Sequence, residues 1–345
     1  MSVTAKELAR ILGISEASVS FALNNKPGVS SLTRQLVLEK AVEMGYDFSR
    51  SAALRAGVKG TACLIVYKRS GALIGDTPFF SSLAGGVMAG CKRSGYDLAI
   101  RHMYADDSLD EQLYLIKKEG FAGIVLLGTE MDRLSLQPFL SLETPVVLLD
   151  ACFDDLPIDC VLVDNERGAF AAASHLFASR SRRSQGEVAS GRRPGYLRSS
   201  FETSNFAARA EGFYRAVRES GMTVTSCIEH RLTPTRDGAY ADMRELIRAG
   251  APFANCYFAD NDAIAAGAMR ALAEAGIGVP QEVGIIGFED LPLCETVSPP
   301  LSTVRVPTQY LGEMAALRLV QRMESENHLP VKMAIGANLI RRKSV

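Results

Sequence analysis

The 345 residues are enough for two or three domains, and a hydrophobic content of 47% can supply a sizeable core. A net charge of −1 argues against a protein that coats nucleic acid over its whole surface. No run of eighteen apolar residues occurs and the chain opens on a capped helix rather than a signal peptide, so a soluble cytoplasmic protein without a membrane partner is expected.

The first sixty residues carry eight Lys/Arg against five Asp/Glu, a balance of +3 that suits contact with phosphates. Thr4 and Glu7 have the spacing of a capping box, and Leu8, Ala9, Ile11 and Leu12 give the helix they open an apolar side. Gly13 stops that helix, and Ser15 can cap the next. At about 100° per residue, Val19, Ala22 and Leu23 share one face and should be core. Ala17, Phe21 and Asn24 share the opposite face, flanked by Ser20. Ser30 can cap a third helix, Thr33–Met44, which ends at Gly45. Three such helices suit docking of the second in a major groove, although any small three-helix bundle would show the same bare pattern.

The wording adds to the pattern. Val3-Thr4, Gly13-Ile14-Ser15, Ser18-Val19-Ser20, Leu23-Asn24, Val29-Ser30, Thr33-Arg34 and Gly45-Tyr46 resemble, in order and spacing, the headpiece of the lactose/galactose repressor family. The resemblance implies a helix-turn-helix headpiece over residues 1–46 that binds double-stranded DNA. Its base-contacting positions fall on Glu16, Ala17 and Phe21, beside Ser20. Glu16 could accept from cytosine N4 or simply favour the helix dipole, and Phe21 could lie against a thymine methyl. Thr4, Ser15, Asn24, Asn25, Ser30 and Thr33 would position the headpiece on phosphates. One headpiece spans a few base pairs, so a homodimer on a pseudo-palindromic operator is implied.

Residues 47–60 read as a linker, too short for a helix stable alone. In the family it is a hinge helix that wedges a leucine into the minor groove, a role that falls on Leu54 with Ala53 beside it. Here the spacing from Tyr46 to Leu54 is one residue short, and the usual proline is absent. A residue lost within the helix would turn that leucine by about 100°.

From Thr61 short apolar runs alternate with helical stretches. Strands are predicted at Ala62–Tyr67, Asp97–His102, Gly123–Leu127, Pro145–Leu149 and Cys160–Val163, with helices near 79–94 and 109–119. A second series places strands at Gly195–Leu197, Thr225–His230, Cys256–Phe258 and Val283–Gly287, with helices near 205–220, 236–249 and 261–275. Alternation of this kind means an α/β core of doubly wound parallel sheets, and two series mean two lobes with a ligand cleft at the strand carboxyl ends. Pro78-Phe79-Phe80, Val163-Asp164-Asn165-Glu166, Asn261-Asp262, Val283 through Phe288, and Pro299 through Val304 extend the resemblance over nearly the whole chain. It implies a periplasmic-binding-protein-like core over 61–345, with one lobe from 61–163 plus 302–323 and the other from 164–301 plus 324–341. Extra residues around Ser70–Gly75 depart from the family. So does Ser179–Arg193, a basic Ser/Arg-rich insertion expected to be a solvated loop.

By family position the effector pocket draws on Phe79, Phe80, Asp150, Arg209, Phe258, Asn261 and Glu289. Carboxylates, an amide, a guanidinium and aromatic faces suit a polyhydroxylated ligand: a sugar or sugar phosphate first, a purine-like ring second. Phe258, in an apolar strand, could equally be core. The family usually has aspartate where Glu289 stands, which displaces the carboxylate by about 1.5 Å. Linkage then makes ligand and operator affinities reciprocal, as expected for a repressor acting at the nucleoid of a bacterial cell. A periplasmic-type sugar carrier without DNA binding is the rival reading, and an enzyme is a weaker one. No Gly-x-Gly-x-x-Gly follows the first strand, no P-loop occurs, and His102, His175, His230 and His328 are isolated. The seven cysteines (Cys63, Cys91, Cys152, Cys160, Cys227, Cys256 and Cys294) lack metal-ligand spacing and read as reduced, mostly buried thiols, so neither metal nor cofactor is expected.

Overall fold

The computed structural model describes residues 4–23, 28–44, 58–74, 78–183, 193–325 and 329–345. The chain forms two compact units, Met1–Gly60 and Thr61–Val345.

Among the described residues the first unit has three helices, α1 (Ala5–Leu12), α2 (Glu16–Leu23) and α3 (Ser31–Glu43). The capping box is present: the Glu7 amide donates to Thr4 Oγ1, and the Thr4 amide donates to Glu7 Oε2. Gly13 ends α1 in the left-handed region, at φ 65°, where a side chain would be strained. Leu8, Ala9, Val19, Ala22, Leu23, Val37 and Ala41 close a small core, so the predicted inner face of α2 is inside. From α3, Arg34 Nη1 donates to the carbonyls of Phe21 and Ala22 at 3.2 and 3.3 Å, satisfying groups that the end of α2 leaves open.

The second unit begins with β1 (Gly60–Lys68), α4 (Pro78–Arg93), β2 (Tyr96–Tyr104), α5 (Leu109–Glu119), β3 (Gly123–Leu127), α6 (Arg133–Leu140), β4 (Val146–Leu149) and β5 (Asp159–Val163). A second series follows: α7 (Asn165–Arg183), β6 (Pro194–Ser199), α8 (Ser204–Glu219), β7 (Ile228–Leu232), α9 (Arg236–Arg248), β8 (Cys256–Ala259), α10 (Asp262–Glu274), β9 (Gly284–Ile286) and α11 (Leu293–Thr296). The chain then returns through β10 (Thr303–Arg305), α12 (Thr308–Glu324), β11 (Lys332–Ile335) and β12 (Asn338–Ile340). One sheet has the order β11-β5-β4-β3-β1-β2, the other β7-β6-β8-β9, and β10 pairs with β12. Every pairing from β11 to β1, and every pairing of the second sheet, is parallel.

Parallel strands covered on both faces need near-continuous apolar runs. Alternate residues of β1, β3, β4 and β5 accordingly enter two different cores. Leu64, Val66, Val125, Leu127, Val147 and Val161 face one, while Cys63, Ile65, Ile124, Leu126, Leu148 and Cys160 face the other. Against the first, α4 and α12 cross with no room for a side chain between them. A methyl group at Gly86 would overlap the Gln309 carbonyl, and one at Gly312 the Leu83 carbonyl. Because backbone cannot yield as a side chain can, Gly86→Ala should destabilise the core by about 1–3 kcal/mol, measured as the urea midpoint of the full chain. An unchanged midpoint would mean that this crossing tolerates separation.

Three expectations need correction. The strand placed at 225–230 starts later, at Ile228, because Val224–Ser226 winds into a single 3-10 turn and pairing with β6 sets the register. The segment 324–341, given above to the second lobe, instead sends β11 to the edge of the first sheet. There Arg318 and Arg322 meet Asp159 at 2.7 and 3.1 Å, and the Val331 amide donates to the same carboxylate. The start of the basic insertion is not a solvated loop: residues 179–183 continue α7, and Arg180 donates to the carbonyls of Pro280 and Glu282 at 2.6 and 2.7 Å. Residues 184–192 lie outside the described residues. Among the described residues no helix is long and apolar enough to cross a membrane.

Candidate functional site

On the first unit, burial of Val19, Ala22 and Leu23 leaves Glu16, Ala17 and Phe21 on the outside of α2. Phe21 is 37% exposed, and its ring lies beside Gly28, where an added Cβ would stand 3.0 Å from a ring carbon. The hydroxyls of Thr4, Ser15 and Ser30 each accept from the amide three residues on, so they cap helices in the free protein. Ser20 is half-buried, as is Thr33, whose hydroxyl meets that of Ser30 at 2.8 Å. Asn24, Asn25, Ala53 and Leu54 lie outside the described residues.

In the second unit a cavity of about 230 Å³ lies beyond the carboxyl ends of the strands of both sheets. Thr129 and Asp150 reach it from just past β3 and β4. Asn205, Phe206 and Arg209 come from the first turns of α8, Asn261 from the cap of α10, and Glu289 from beyond β9. Phe79 and Phe80 enter from the start of α4. Six of the seven pocket residues named from sequence therefore converge. Phe258 does not: it is fully buried in β8, its ring stacked on Phe213 at 5.9 Å, because that face of the strand packs beneath α7 and α8.

A continuous polar chain crosses the cavity wall. Thr129 Oγ1 donates to Asp150 Oδ2 at 2.6 Å, and Asn205 Nδ2 donates to Asp150 Oδ1 at 3.1 Å and to its carbonyl at 2.9 Å. Asn165 Nδ2 donates to Asn205 Oδ1 at 2.9 Å, and Arg209 Nε donates to Asn165 Oδ1 at 2.8 Å. Arg209 Nη1 donates to the Asp260 carbonyl at 2.5 Å and meets Glu289 Oε1 at 3.5 Å, while the guanidinium lies 4.0 Å from the Phe288 ring centroid. The sequence marks Asn165 only as part of the Val163–Glu166 signature and not as a pocket residue, and it does not single out Asn205. Their shared local mark is a place at or just inside a helix start, and Thr129 follows an apolar strand as pocket residues often do.

The carboxyl groups here are held away from their ordinary behaviour. Burial pushes Glu289 up to about 8 against the pull of Arg209, and the charges of Asp262 and Asp150 add to the rise. Burial also raises Asp150, opposed by Thr129, Arg209 and Asn205. Both residues have left-handed backbone, Asp150 at φ 58° and Glu289 at φ 114°. Such conformations cost energy in non-glycine residues and collect at functional sites.

The extra residues after β1 have a defined role. Glu130, 2% exposed, takes the amides of Arg69, Ser70 and Gly71 on Oε2 at 2.7–3.0 Å and those of Leu73 and Ile74 on Oε1 at 2.9 and 3.3 Å. Burial works against its charge, yet the amides of Ser70, Leu73, Gly71 and Arg69 hold the carboxyl below its usual value. The clamp fixes Ala72, Leu73 and Ile74 as one wall of the cavity.

Residues 189–345 match the family model of a periplasmic binding protein-like domain. The chain is 30% identical to the HTH-type transcriptional regulator GalR of Escherichia coli (strain K12), over 99% of this chain and 95% of that protein. Its fold is similar to that of the lac repressor dimer bound to operator and the anti-inducer ONPF, with a TM-score of 0.73 and 20% identity over 100% of this chain and 99% of that one. The transcriptional regulator CelR in its cellobiose complex gives 0.71 and 23% over 99% and 100%. With helix-turn-helix geometry at one end and a two-lobed cleft in the other unit, the chain belongs to the lactose/galactose repressor (LacI/GalR) family of DNA-binding transcriptional regulators.

Proposed function

We propose that residues 1–46 read a pseudo-palindromic operator as half of a homodimer, with residues 47–60 as the hinge. The cleft within 61–345 binds a neutral polyhydroxylated ligand that sets operator affinity. The observation behind this reading is the polar chain from Thr129 and Asp150, through Asn205 and Asn165, to Arg209 and Glu289, which joins groups from both lobes. A ligand whose hydroxyls replace links in it changes how the lobes are held, and whatever it does to DNA affinity the operator does to ligand affinity. The usual coupling is about 1–3 kcal/mol. The core thus recognises rather than turns over its ligand, and a DNA-reading role places the protein at the nucleoid in the cytoplasm.

Charge selects the ligand class. Arg209 is the one cation among the described residues lining the cavity, and its donors already serve Asn165 and Asp260. A sugar phosphate would bring negative charge to a wall of two carboxyl groups whose cation, Arg209, is already engaged by Asn165, Asp260 and Glu289. A neutral sugar, whose hydroxyls can both donate to and accept from the carboxyl groups of Asp150 and Glu289 and whose ring rests on Phe79 or Phe80, fits better. The test is selection of bound sequences from random DNA, then operator titration with a panel of neutral monosaccharides, their phosphates and purines. Response to a neutral sugar supports the reading. Response only to phosphates or purines moves the ligand class, and indifference to every DNA sequence ends it.

For the DNA face, Phe21→Ala should weaken operator binding by about 1–3 kcal/mol, roughly five- to 150-fold, with little change on random DNA. Equal losses on both would mean that Phe21 supports the headpiece without reading bases.

A further inference from the structure

All seven cysteines are free thiols, and two of them are in contact. Cys152 lies in the connection from β4 to β5, and Cys160 is the second residue of β5. Their sulfurs stand 2.6 Å apart with Cys160 donating. Cys160 is fully buried, whereas Cys152 is only half-buried. Lys332 is the register partner of Cys160 on β11. Its ammonium donates to the carbonyls of Phe153 and Leu156, at 2.5 and 3.0 Å, bracing the connection that presents Cys152.

The other five thiols are in a different situation. Burial pushes Cys63 and Cys256 up to about 12 and Cys91 and Cys227 up to about 11, and it raises Cys294 as well. Cys152 moves the opposite way. The bond from Cys160, and then the Lys332 ammonium, favour its thiolate against burial and the nearby Asp154. A thiolate that is accessible, beside a second thiol that is not, is the arrangement of an oxidisable pair.

We propose that Cys152 and Cys160 form a modification site, a dithiol that hydroperoxides convert to a reversible disulfide. The Cys152 thiolate attacks one oxygen of the hydroperoxide, so an S–O bond forms and the O–O bond breaks. The alcohol, or water in the case of hydrogen peroxide, leaves with a proton, and the sulfur is oxidised by two electrons to a sulfenic acid. Cys160 sulfur then attacks Cys152 sulfur. The S–S bond forms, the S–O bond breaks, and the departing hydroxide takes the Cys160 proton to become a second water. A dithiol reductant reverses the sequence by exchange. Closing the pair ties the β4–β5 connection, which begins at the cavity residue Asp150, to β5.

The experiment treats the full-length protein with hydrogen peroxide and maps its peptides by mass spectrometry without reduction. The expected product is an intramolecular Cys152–Cys160 link, removed by dithiothreitol, formed at least about tenfold faster than any change at the other five cysteines. In Cys160→Ser the sulfenic acid cannot resolve, so dimedone should label Cys152. In Cys152→Ser no link forms, and Cys160 stays reduced because it is buried. Wild-type protein that stays reduced at every position, or that oxidises first elsewhere or between molecules, overturns the proposal. So does a Cys160→Ser protein, folded by its melting curve, in which dimedone fails to mark Cys152.

Discussion

Arg209→Ala should abolish the response of operator binding to ligand and destabilise the core by about 3 kcal/mol or more. Arg209 is 4% exposed and joins three partners that have no substitute: Asn165 Oδ1, the Asp260 carbonyl and Glu289 Oε1. Removing it leaves two buried acceptors unsatisfied and takes from Asp150, Asp260 and Glu289 a cation that favours the charged form of each. It also uncovers the face of Phe288. Arg209→Lys keeps the charge but lacks the forked donors, so it should recover much of the stability and little of the ligand response. The measurements are denaturant midpoints and operator titrations with the monosaccharide panel. If the alanine variant keeps a wild-type response, the polar chain is a structural brace and the ligand binds elsewhere.

The second large effect is on stability against pH. A carboxyl held near 8 in the fold, against an ordinary 4.5, keeps its proton over a range where the unfolded chain has released it. Between those values the folded state binds more protons than the unfolded state, so stability falls as pH rises, by up to about 1.4 kcal/mol per unit. The contribution is greatest below the unfolded value and is lost as pH climbs through about 8. The 18% exposure of the Glu289 side chain makes that slope an upper limit. Asp260 and Asp262, both raised to about 6 chiefly by burial, act in the same direction at lower pH. Glu289→Gln should therefore remove that share of the fall between about pH 4.5 and 8 and leave only the share of Asp260 and Asp262, complete by about pH 6. Parallel curves for the variant and the wild type would sink the assignment. A hydroxyl-rich ligand that donates to the ionised carboxylate should lower the folded-state value and so shrink that fall.

Much of this was legible from local pattern. The inner face of α2 follows from a helical period of 3.6, which puts Val19, Ala22 and Leu23 together however the helix is placed. The capping box of Thr4 and Glu7 needs only three residues of spacing. The apolar runs of β1 and β3 announce a parallel sheet covered on both faces. Phe258 shows where such reasoning stops. A strand buried on both faces has no polar side to tell which residues look toward a cavity and which into a core, so its position was open until the helices were in place.

What the amino-acid order determined unaided is therefore whatever short-range periodicity and backbone capping decide: the helices of the first unit, the alternating strands and helices of the second, and a cleft at the strand ends. The folded structure decided which polar groups meet. Asn165 reaches Asn205 across 40 positions of chain and Asn205 reaches Asp150 across 55, Glu130 gathers a loop some sixty residues earlier, and β11 closes against β5 from 172 residues away. Cys152 reaches Cys160 only because an irregular connection turns back on its own sheet. Contacts of that range leave no period in the sequence, since they depend on how whole elements pack rather than on the preference of any residue for a local conformation.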